Sequence, residues 1–133
     1  MLILFFSVLI AVPTTSIVAG VEGKVTVAKV LECLHNKHSD DHNIERDMTL
    51  VQEAEKMLYS DQIEQRALSI RGAPETTFLK VDGNGARFEQ LCKLYFEKNG
   101  DDVKQIAQMQ MKRVGCAVNR VHNSALCFYH FIS

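Results

Sequence analysis

From Met1 to Val21 no side chain carries a charge, and the first positions (MLILFFSVLIAV) form one apolar run that ends at Pro13 before the polar Thr14-Thr15-Ser16. A short apolar run followed by small residues is the layout of a secretory signal peptide. Val18-Ala19-Gly20 places the expected cleavage after Gly20, so residues 1–20 read as a leader and residues 21–133 as a single mature domain. An uncleaved anchor needs about 20 apolar residues, and this run is interrupted sooner. Export then decides how the cysteines are read. In an oxidising compartment Cys33, Cys92, Cys116 and Cys127 are an even set able to pair as two disulfides, with three connectivities open.

One pairing is suggested locally. Cys116 and Cys127 lie on two apolar runs, residues 114–118 (VGCAV) and 125–129 (ALCFY), separated by a segment carrying the turn residues His122-Asn123-Ser124. This reads as a β-hairpin with facing cysteines. Cys33 with Cys92 follows only by elimination, and both are equally readable as buried free thiols that pack as small hydrophobes.

The composition of the whole 133-residue chain is that of an ordinary globular protein, 47% hydrophobic and 23% charged, with a formal net charge of −1. Such a balance supplies no basic field for a phosphate backbone, so nucleic acid is excluded as an expected partner. No internal repeat and no Asn-x-Ser/Thr sequon is present.

Periodicity predicts the elements. Val27, Val30, Leu31 and Leu34 recur at helical spacing, giving a first helix over about 25–36 that runs into a polar stretch. Leu50, Ala54, Met57 and Leu58 mark a second helix, with Thr49 and Gln52 as a capping box and an extension through Ile63, Ala67 and Leu68 to Arg71-Gly72-Ala73-Pro74. Residues 76–81 (TTFLKV) have strand chemistry and Asp82-Gly83-Asn84-Gly85 is a turn. A third helix carries Phe88, Leu91, Cys92 and Tyr95 and is expected to stop at Asn99-Gly100, after which Asp101 or Asp102 caps a fourth. The expected class is α+β, a small antiparallel sheet covered by helices and ending in the hairpin.

Chemistry is sparse. His35, His38 and His42, at i, i+3 and i+7, have the spacing of a metal cluster on one helical face. Residues 36–43 contain no apolar side chain, however, and read as a solvated helix end and loop unable to fix coordination geometry. Lys80 to Leu91 fails as a calcium loop, because Lys80 and Leu91 occupy its first and twelfth positions. The same glycines fail as a dinucleotide loop, with Phe88 in place of the third glycine.

Several segments resemble the CAP superfamily (cysteine-rich secretory, antigen 5 and pathogenesis-related proteins; the SCP domain). Gly115-Cys116 followed by Cys127-Phe128-Tyr129 is similar to its C-terminal pair of strands. Residues 106–111 (IAQMQM) resemble its Thr-Gln-Met-x-Trp segment with Met111 for Trp, residues 94–97 (LYFE) its Trp-Tyr-x-Glu helix, and His35-Asn36 the end of its opening helix. Ala73-Pro74-Glu75-Thr76 stands where the family writes Gly-Glu-Asn. The resemblance implies an α-β-α sandwich with a cavity of two Glu and two His that bind a divalent metal in some members. Here Glu75 and Glu97 match the acids, Gln105 stands where one His belongs, and no His occurs between Asn43 and Val121. Two carboxylates without imidazole make a poor zinc site. The expectation is therefore a short, divergent, secreted member without catalytic activity or cofactor, binding an extracellular protein. The competing expectations are a carrier of a small apolar ligand such as a sterol, and a divergent metal-dependent hydrolase. None of these includes stable membrane insertion.

Overall fold

A computed structural model of the chain describes residues 26–59 and 75–132. The leader, its cleavage site and the expected extension of the second helix through residues 60–74 lie outside the described residues. Helix α1 occupies residues 26–42, followed by strand β1 (Glu45–Arg46), helix α2 (Met48–Leu58), strand β2 (Thr76–Asp82), a 3-10 turn (Phe88–Gln90), helix α3 (Leu91–Ala107), and strands β3 (Met111–Asn119) and β4 (Ser124–Ile132). The sheet order is β1-β3-β4-β2. Both long pairings, β3 with β4 and β2 with β4, are antiparallel; β3–β4 is the expected local hairpin, whereas β2 pairs with β4 across the intervening α3 and β3 rather than locally. The sheet as a whole is mixed, because the two residues of β1 add to β3 in parallel.

Period-two alternation sorts the strand residues into two layers. Val114, Cys116 and Val118 of β3 and Ala125, Cys127 and Tyr129 of β4 face α1 and α3, forming a core with Leu34, Ile44, Leu91, Tyr95, Val103 and Ile106. Ala117, Leu126 and Phe128 face the opposite way, onto Leu50, Ala54, Met57 and Leu58 of α2. This is the α-β-α sandwich of the α+β class. The second layer depends on one glycine. A Cβ on Gly115 would lie 2.0 Å from the Val51 backbone nitrogen and 2.1 Å from the Leu50 carbonyl carbon, so α2 rests backbone to backbone on β3 at that point.

Three local expectations are corrected. The cap of α2 is Asp47, whose Oδ1 accepts from Thr49 N at 2.8 Å and Leu50 N at 3.4 Å, in place of the Thr49–Gln52 box. Helix α3 is one continuous element through Asn99 and Gly100, so the separate fourth helix does not exist. The stripe of Cys92, Tyr95, Asn99, Val103 and Ile106 stays buried throughout, and Asn99 Nδ2 donates to Lys80 O of β2 at 3.3 Å. A tertiary contact thus occupies the side chain that would otherwise favour a stop. Third, α1 continues to residue 42 where a solvated loop was expected. His35 and His38, rather than aliphatic side chains, carry its buried face onward.

Candidate functional site

Both disulfides belong to the layer of α1 and α3. Cys33–Cys92 joins the two helices, and Cys116–Cys127 staples β3 to β4 beneath them, leaving no free cysteine among the described residues. The facing register Cys116↔Cys127, with Cα atoms 4.0 Å apart, is the close, non-hydrogen-bonded kind of antiparallel pair. The backbone N–H of Cys116 consequently points away from β4. It is taken up by His35, whose Nε2 accepts at 3.0 Å. Along the same outer edge the Val114 carbonyl accepts from Asp47 N at 2.9 Å and the Val118 carbonyl from the Tyr59 hydroxyl at 3.0 Å. An edge that β1 covers for only two residues is thereby closed group by group.

One turn beyond His35, His38 is fully buried. Its Nδ1 lies 2.6 Å from the Leu34 carbonyl, which can only accept, so Nδ1 carries the proton. Burial, the largest influence, lowers the pKa of His38 to about 4, and that of His35 to about 4 with help from the Arg46 charge. Both rings are therefore neutral near pH 7, and Nε2 of His38 is an acceptor. That fixes the remaining directions: Tyr129 donates its hydroxyl proton to His38 Nε2 at 2.6 Å, and Tyr95 donates to the Tyr129 oxygen at 2.5 Å. Burial pushes both phenols above their ordinary range, Tyr95 further raised by its bond to Tyr129. The result is a directional chain, Tyr95 to Tyr129 to His38 to Leu34, tying α3, β4 and α1 together inside the core.

The histidines do not form a metal cluster. Among the described residues, the one group of three His, Cys, Asp or Glu side chains whose ligand atoms converge is His38, Cys116 and Cys127, and both sulfurs there are consumed by the disulfide. His35 uses its second nitrogen on the Leu31 backbone. His42 lies at the layer's margin, stacked on Phe96 with ring centroids 6.1 Å apart, while Lys37 Nζ sits 5.5 Å from the centre of the same ring.

The residues matched to the family cavity are all at the surface. Glu75 is exposed at the start of β2, where its carbonyl accepts from Phe131 N at 3.0 Å. Glu97 is exposed and 3.9 Å from Lys93. Gln105 is eight residues further along α3, about 12 Å at the helical rise, and lines an open groove of about 290 Å³. That groove is floored by Leu79, Ile106, Met109 and Phe131 and edged by Thr77, Asp102 and Gln105. Its elements are β2, β4 and the last turns of α3. A more polar cleft of about 230 Å³ lies beside β1, lined by Asn43, Glu45 and residues 110–113.

Sequence reasoning placed Tyr95 and Tyr129 only as apolar positions and gave Asp102 only a capping role. The signal for the tyrosines was parity: Tyr129 shares its strand face with Cys127, and Tyr95 shares its helical face with Cys92. The structure thus defines a two-disulfide α-β-α sandwich with a buried Tyr–Tyr–His chain in one layer and an open groove at its edge. Comparison with protein-family models, with curated proteins and with solved structures finds no match. Among the described residues no helix is long and apolar enough to cross a membrane.

Proposed function

We propose that this chain is a secreted, divergent member of the CAP superfamily that acts without catalysis, by binding an extracellular partner. The observation that carries the reading is the pair of closed disulfides in one layer of an α-β-α sandwich, Cys116–Cys127 seated directly after the Gly115 contact with α2. It supports an exported protein, because such bridges persist in oxidising compartments, and it gives the Gly-Cys and Cys-x-Tyr resemblance a physical basis. Absence of catalysis is supported by the placement of the matched acids. Glu75 and Glu97 are exposed, Gln105 replaces an imidazole, and the ring nitrogens of His35 and His38 are committed to the fold. The test is a hydrolysis assay of the purified secreted protein with zinc supplied. No turnover above the metal blank is expected; robust turnover abolished by Glu97→Ala overturns the reading and restores the hydrolase alternative.

A further inference from the structure

The groove beside α3 sets polar side chains around the outer surface of core-packed apolar ones. Leu79, Ile106, Met109 and Phe131 give it an apolar floor, and Asp102 is the one charged side chain lining it. Asp102 is exposed and makes no ion pair among the described residues. Gln105, one turn on, and Thr77 of β2 add an amide and a hydroxyl oxygen to the same lining. A carboxylate, an amide oxygen and a hydroxyl are three acceptors, matching the three N–H donors of a primary ammonium. A quaternary ammonium would instead need a cage of several aromatic faces, and only Phe131 is present. The volume of about 290 Å³ lies at the lower end of ligand sites. It suits a body the size of one ring or a short chain. Asp102 also acts electrostatically on Tyr95 and Tyr129, so the groove's charge reaches the buried hydroxyl pair.

We propose that this groove binds a small amphipathic primary amine, with its ammonium on Asp102, Gln105 and Thr77 and its apolar body on Leu79, Ile106, Met109 and Phe131. The inference rests on neither export nor family membership, so it fails or stands apart from the function proposed above. The probe is 2-phenylethylamine, titrated by calorimetry into the full chain with both disulfides intact. Saturable binding is expected. The neutral analogue 2-phenylethanol should bind at least about tenfold more weakly, the weight of a charge-assisted contact. Asp102→Asn should lose a similar factor, while Asp101→Asn, next to it on the same exposed turn, should not. The comparison of amine with alcohol needs no variant and so decides even if Asp102→Asn folds poorly. Equal binding of amine and alcohol, undiminished binding by a folded Asp102→Asn protein, or no saturable binding overturns the proposal.

Discussion

Mild acid should loosen α1 from the sheet. His35 and His38 are neutral in the folded chain because burial holds both near pKa 4, against 6.5 for the exposed side chain. The folded state binds these protons more weakly than the unfolded chain. The stability given by the neutral imidazoles is therefore whole above about pH 6.5 and is lost as the pH falls towards 4. At pH 5 the unfolded histidines are almost fully charged and the folded ones almost neutral, which costs about 2 kcal/mol per residue and about 4 for the pair. The geometry says why the cost is real. A proton on His35 Nε2 would face the Cys116 N–H, a donor that cannot turn away. A proton on His38 Nε2 would force both tyrosine hydroxyls to reverse. Against a typical total of about 5–15 kcal/mol this is a large fraction. Urea unfolding followed by far-ultraviolet circular dichroism at pH 7.5 and pH 5.0 measures it. The wild-type protein should lose about 4 kcal/mol between the two, and a His35→Gln/His38→Gln variant should show a loss smaller by that amount. If the variant's pH dependence equals that of the wild type, these imidazoles are not the titrating groups and the assignment of the chain is wrong.

Other substitutions separate the remaining claims. Gly115→Ala places a methyl group against the α2 backbone, which has no rotamer to yield, so it should cost about 3 kcal/mol or more, read as a fall in urea midpoint. Gly100→Ala should do the reverse. It sits in helix α3 without positive φ and with nothing within 4 Å of an added Cβ, so thermal unfolding should show a gain of about 0.5–1 kcal/mol. Replacing Cys33 and Cys92 by Ala opens a link of sequence separation 59, against 11 for Cys116–Cys127. Loop entropy then predicts losses of about 4 and about 3 kcal/mol respectively, compared by equilibrium unfolding of the two double variants.

Much of this fold was legible because it is written in short-range patterns. The hairpin followed from two apolar runs around a turn, and with it the facing of Cys116 and Cys127. Cys33–Cys92, reached by elimination, needed the packing of α1 on α3 to become a positive statement. What escaped were the places where a polar residue does the work of an apolar one. Asn99 looked like a helix stop and is a buried link to β2. His35 and His38 looked like a solvated end and are instead the inner face of α1. A pattern read from hydrophobicity alone counts such residues as surface, since their burial depends on partners brought from the far end of the chain, here Cys116 and Tyr129. Of the candidate site, Gln105 was singled out only as the replacement of an imidazole in the resembled cavity and Asp102 only as a helix cap; the groove was not legible, because β2, α3 and β4 meet only in the folded sheet.

The central claim, an exported two-disulfide domain, is tested most directly by secreting the full chain from a suitable host and mapping its disulfides by non-reducing peptide mass spectrometry, with the mature N-terminus read in the same run. The account predicts Cys33–Cys92 and Cys116–Cys127 peptides and a chain beginning at or near Val21. Four free thiols on a chain that still carries Met1, or a crossed connectivity such as Cys33–Cys116, would contradict it.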